Sequence, residues 1–139
     1  MARLLNKSAV EPRRAFDLTT AYTIRRSPNT SLVASLVLTI PANAQPNRVE
    51  LVATVGVRGV TGIAQVLFQV TRDGMEIFST VQGVESSGSE QNYVITFQAI
   101  DRNVATGRHV YQVLASNLTA NTRVDVVGPV SFSALAVQI

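Results

Sequence analysis

Cysteine and tryptophan are both absent from the 139 residues, and histidine occurs once, as His109. Without thiols the chain builds neither disulfides nor thiolate metal sites, and the redox compartment cannot be read from it. A single histidine has no second imidazole for a metal or a catalytic pair, so His109, at the start of a strand, is assigned a structural role. Charge is scarce as well: only 15% of residues are Asp, Glu, Lys or Arg, and Lys7 is the sole lysine. No apolar run reaches the roughly 18 residues of a membrane helix. The opening "MARLLNKSAVEPRR" has two adjacent leucines before Asn6 and Lys7, far short of the apolar stretch a secretory signal needs. The expectation is a soluble product made in the cytoplasm without a cleavable signal.

Enzyme chemistry has equally little to build on. No serine sits in a nucleophile elbow, and neither "GVRGVTG" (56–62) nor "GVESSG" (83–88) is a phosphate-cradling loop opening a helix. The first of these reads as a turn between strands. The acids are dispersed over loops and strand edges; Glu85 and Glu90 share a loop and could offer oxygens to calcium, but a solvated loop is the simpler reading. The sequons "NTS" (29–31) and "NLT" (117–119) matter only along a secretory route. We therefore expect no enzyme, no catalytic residue, no cofactor, no metal and no small-molecule substrate. A third reading, ligand recognition by the loop "GVESSGSEQN" (83–92), names no ligand.

What is present is apolar surface, with 46% hydrophobic residues and a positive mean hydropathy of +0.21. That argues for a folded chain, and its length suits one domain with a single core. The basic residues are uneven. Residues 1–30 hold six against two acids, while the remainder holds six against seven. This divides the chain into a basic N-terminal arm, 1–30, and a near-neutral body, 31–139.

The body alternates on a two-residue period with no helical stretch between. "SLVASLVLTI" (31–40) is apolar on both parities, which predicts a strand covered on both faces. "RVELVATVGVR" (48–58) turns Val49, Leu51, Ala53, Val55 and Val57 inward. In "VLFQVTRDGMEIFSTVQ" (66–82), Asp73-Gly74 predicts a two-residue hairpin. In that register Val70 faces Ile77, Phe68 faces Ser79 and Val66 faces Val81. Leu67 and Phe78 then point outward, where they could anchor a neighbouring subunit. "YVITFQAI" (93–100), "HVYQVLAS" (109–116), "RVDVV" (123–127) and, beyond a Gly128-Pro129 break, "VSFSALAVQ" (130–138) complete eight strands. The fold class is all-β, an antiparallel jelly-roll β-sandwich.

The arm carries a ninth strand. In "RRAFDLTTAYTIRR" (13–26) Phe16, Leu18, Tyr22 and Ile24 share one parity, bracketed by Arg13-Arg14 and Arg25-Arg26. About 10 extended residues span roughly 33 Å, enough to complete a neighbour's sheet edge or to serve as this subunit's own first strand. The apolar side chains would fill pockets there, and the arginines would pair with acids such as Glu50, Glu76 or Asp125. The alternative is a viral-type coat protein whose basic arm contacts nucleic acid. Its arginines are sparse and its aromatics sit on a strand face, so nucleic acid is the less favoured partner.

"RVELVATVGVRGV", the hairpin "VLFQVTRDGMEIFST" and the ending "VVGPVSFSALAVQI" resemble tumour-necrosis-factor/C1q-like jelly rolls. They are most similar to the small β-domains of bacterial endospore surfaces, including exosporium proteins, over residues 31–139. The resemblance implies a homotrimer packed through apolar sheet faces, with a structural or binding role at the spore surface. It departs from that pattern in lacking a Gly-X-Y stalk and the leader of collagen-bearing spore proteins. The expected function is a structural, self-assembling subunit, a trimer with the arm available to join it into a fibre or surface layer.

Overall fold

The computed structural model describes residues 3–139, which form nine β-strands and no α-helix. They are β1 (Arg3–Arg13), β2 (Tyr22–Thr23), β3 (Ser31–Ile40), β4 (Asn47–Thr61), β5 (Ala64–Arg72), β6 (Met75–Val84), β7 (Asn92–Arg102), β8 (Gly107–Asn117) and β9 (Arg123–Gln138). One sheet runs β1-β9-β4-β7 with β2 also beside β9; the other runs β3-β8-β5-β6, and every pairing is antiparallel. With the two-residue β2 set aside, the eight long strands are ordered first-eighth-third-sixth over second-seventh-fourth-fifth. That is the connectivity of a jelly roll. The chain is an all-β, antiparallel jelly-roll β-sandwich.

Alternation fills the space between the sheets. Val49, Leu51, Ala53, Val55 and Val57 of β4 are buried against Leu36, Leu38 and Ile40 of β3 and Val66, Phe68 and Val70 of β5 within one core. The sandwich has two ends. One carries the 41–46 and 103–106 loops and the Asp73-Gly74 turn. The other carries the 14–30, 62–63, 85–91 and 118–122 connections.

Several expectations are corrected. The strand expected across Phe16–Ile24 lies earlier: β1 occupies the polar stretch before it, and residues 14–21 form a loop. Asp17 breaks the extended run, its Oδ1 accepting from the Thr19 N–H at 2.9 Å and Thr19 Oγ1 at 2.7 Å. This is an Asx turn, a local alternative to strand hydrogen bonding. Of the two pairings open to the arm, with a neighbour or within its own subunit, β1 takes the second. β1 pairs with β9 of its own chain from Arg3↔Gln138 to Arg13↔Val130, so the arm supplies the first strand of its own sandwich.

The two strands expected on either side of Gly128-Pro129 are one strand, β9, kinked where a register shift falls between Val55 and Val57 of β4. Gly128 takes φ +85, and a Cβ on Gly56 would sit 2.0 Å from the Gly128 carbonyl oxygen. Glycine at both positions lets the backbones cross without breaking the strand. Nor is "GVRGVTG" a turn: β4 continues through it to Thr61.

The hairpin keeps its turn but not its register. A bulge shifts the pairing from Thr71↔Glu76 to Val70↔Phe78, Phe68↔Thr80 and Val66↔Gln82. One extra residue inverts the facing of the rest of β6. Phe78 therefore turns inward and stacks on Phe97 at 5.6 Å, while Val81, expected inside, is exposed. Leu67 points outward as expected, and pairs with Val81.

Candidate assembly surface

The N-terminal connection is built around Arg13, Tyr22 and Ile24. The Arg13 guanidinium lies over the Tyr22 ring at 5.2 Å and donates to Thr20 Oγ1. Partial burial raises the pKa of the Tyr22 hydroxyl, with Arg13 opposing. Tyr22 and Thr23 pair with Val126 and Asp125, and Ile24 is buried in the core, its N–H donating to Val124 O. Arg26 crosses to the other sheet, where its side chain donates to Asn117 O at 2.7 Å. Arg14 and Arg25 are exposed.

Phe16 and Leu18 are not on the face of Ile24. They project from the loop at 51% and 50% exposure, with Asp17 between them donating its N–H to Val127 O at 2.8 Å. The acids considered for the arginines are held elsewhere in this chain. Glu50 pairs with Arg48 at 2.7 Å, Glu76 accepts from Gln69, and Asp125 takes Arg123 and Thr23 Oγ1. Of the ten predicted assembly residues, Tyr22, Ile24 and Phe78 pack toward the interior, while Phe16, Leu18, Arg14 and Arg25 remain at the surface.

The larger exposed apolar feature was only half visible to sequence reasoning. On the outer face of β3-β8-β5-β6, Leu32 lies opposite Leu114 and Leu67 opposite Val81, and Leu114 and Leu67 are diagonal neighbours across β8 and β5. A band of four apolar side chains thus crosses all four strands with no charged residue in it, Leu32 and Val81 exposed at 54% and 50%. Val37 and Val110 form a second apolar pair further along β3 and β8, beyond the polar pair Ser35 and Gln112. β3, expected to be covered on both faces, is covered on one. Contiguous apolar surface of this kind marks interaction sites.

The sequence matches no family model and no curated protein. Solved structures do match. Dimeric latent PorU from Porphyromonas gingivalis aligns over 98% of this chain and 13% of its own, at TM-score 0.57 and 10% identity. The structure of infectious bursal virus-derived T=1 particles aligns over 96% of this chain and 36% of its own, at TM-score 0.51 and 8% identity. The likeness is one of fold. This chain spans a small part of each, and identities this low speak only to the jelly-roll sandwich.

On the opposite face, β1 and β9 frame a shallow groove of about 470 Å³. Ala9 and Ser133, paired across the two strands, form its floor; Lys7 and Leu135, the next outward pair, form a wall. Its lining is mostly apolar, and Lys7 makes no ion pair among the described residues.

Two polar clusters lie at the end that carries the Asp73-Gly74 turn. Arg72 of β5 donates to both oxygens of Asp101 of β7 at 2.6 Å, and Tyr111 of β8 donates its hydroxyl to the same carboxylate at 2.8 Å. Burial and then the Asp101 carboxylate push the Tyr111 hydroxyl far above the ordinary tyrosine range. Beside them, His109 Nδ1 faces Asp73 Oδ2 at 2.6 Å and Nε2 faces Ala105 O at 2.7 Å. Both ring nitrogens meet acceptors, an arrangement satisfied in full by the doubly protonated ring.

Proposed function

We propose that the chain is a structural subunit that self-assembles, a homotrimer of jelly rolls packed through the outer face of β3-β8-β5-β6. The observation that carries this reading is the uncharged band Leu32, Leu114, Leu67 and Val81. A second copy of an apolar face removes that area from water at roughly 25 cal/mol per Å² before the costs of association. The resemblance to spore-surface jelly rolls suits such a subunit and suggests the spore surface as its location. The T=1 particles are an assembly in which a jelly-roll sandwich of this kind takes part. The nucleic-acid reading has less support, because Arg13 and Arg26 are engaged by Tyr22, Thr20 and Asn117 within the chain.

Light scattering coupled to size exclusion tests the proposal. The unaltered protein is expected at three times its monomer mass. Val81→Arg, on an exposed position, is expected at monomer mass with an unchanged β-sheet spectrum. A wild-type protein that stays monomeric at high concentration overturns the reading.

A further inference from the structure

A trimer that covers the β3-β8-β5-β6 face leaves the other sheet outward, and that sheet carries two features with no partner in the chain. One is the loop knob, Phe16 and Leu18 around Asp17. The other is the groove floored by Ala9 and Ser133. They belong to the same sheet but cannot meet within one molecule. The knob is anchored at Val127, six residues along β9 from Ser133, which is roughly 20 Å at strand rise.

We propose that the Phe16–Leu18 knob of one copy seats in the β1-β9 groove of a second copy and joins trimers into a filament. The inference rests on the self-assembly reading and adds its second contact. Two observations point to a copy of this chain as occupant. The knob offers two large apolar side chains, and the groove offers a mostly apolar hollow of about 470 Å³ over small residues. The knob carries Asp17 between its two apolar side chains, and the groove wall carries Lys7, so charges of opposite sign face each other across the contact. Desolvating apolar anchors ringed by paired charges is the usual anatomy of a specific contact.

The symmetry follows from the placement. Knob and groove are different patches, so the contact is heterologous and repeats head to tail instead of closing on a two-fold. Since the trimer band lies on the opposite sheet, the two contacts are compatible in one particle.

The cysteine-free background permits a direct test. Leu18→Cys with Ser133→Cys is oxidised and run on a non-reducing gel; the two positions are too far apart to bridge within a chain, since disulfides need Cα atoms within about 7 Å. A ladder of covalent multimers is expected, against dimers at most from each single variant. Phe16→Asp with Leu18→Asp, and separately Ser133→Arg, are expected to abolish filaments in negative-stain micrographs while leaving the trimer mass unchanged. Filaments that survive these changes, or a wild-type protein that forms trimers and no filament, overturn the knob-and-groove contact while the sheet-face trimer stands. A ladder from protein that otherwise stays monomeric supports the knob and removes the trimer instead.

Discussion

His109 shows what a lone titratable residue does in this fold. Desolvation works against its charged form, but the hydrogen bonds to Asp73 and to the Ala105 carbonyl outweigh it and hold the imidazole pKa above its ordinary value. Arg72, at the end of the same hairpin arm, opposes weakly. Asp73 is held below the carboxylate range, first by the Val110 backbone N–H and then by His109. The signs give a window. The His109 contribution is complete below its unfolded pKa of about 6.5 and is lost as pH rises through the higher folded value; that of Asp73 is complete above about pH 4 and lost below. Melting temperature measured against pH should therefore fall, for the native chain, as pH rises above about 6.5. The gap between native protein and His109→Ala should narrow over the same range. A gap that does not change between pH 5 and pH 9 contradicts the imidazolium assignment.

At the level of elements, β1 decides what the N-terminal segment is. Its Leu5 and Val10 pack on the core, and Asn6 donates to Thr39 O at 2.9 Å, closing the sandwich against β3. Deleting residues 1–13 should thus uncover the β9 edge and part of the core, giving a protein that aggregates or melts well below the native chain in circular dichroism. A donated arm would predict the opposite, a well-folded subunit that has merely lost its assembly. This strand was hard to see in the sequence because it covers a sandwich edge, where Asn6 and Ser8 serve in place of apolar residues. β4 was legible because both its neighbours and the facing sheet bury one parity completely. The apparent strand at 16–24 had the right alternation, but the Asp17 side chain satisfied the backbone locally, and local bonding won over the pattern. In the hairpin the turn was legible from Asp-Gly, whereas the bulge at Ile77 has no composition of its own. It sent Phe78 to the core and Val81 to the surface, and so completed an apolar band where sequence reasoning had placed Leu67 and Phe78.

Across the whole molecule, the two sheets are held by more than apolar contact, and the Arg72–Asp101–Tyr111 cluster is a buried polar link between them. Asp101 ends β7 in one sheet; Arg72 and Tyr111 are paired strand residues in the other. The carboxylate is only 7% exposed and Tyr111 is fully buried, so the charge is compensated almost entirely by these two partners. Removing the carboxylate leaves the buried Tyr111 hydroxyl without an acceptor and the half-buried Arg72 without its ion pair, at a cost of about 3 kcal/mol. Asp101→Ala should accordingly lower the melting temperature by roughly 10 °C in a domain of this size. Asp101→Asn, which keeps the shape and an acceptor for Tyr111, should lose less. Arg72→Met with Asp101→Leu, exchanging the ion pair for apolar volume, should recover part of the deficit of Asp101→Ala while leaving Tyr111 in need of an acceptor. Denaturant titrations of the three variants measure this ordering. If Asp101→Ala unfolds at the native midpoint, the sheets are joined by the core alone, and the cluster is a consequence of their packing instead of a cause of it.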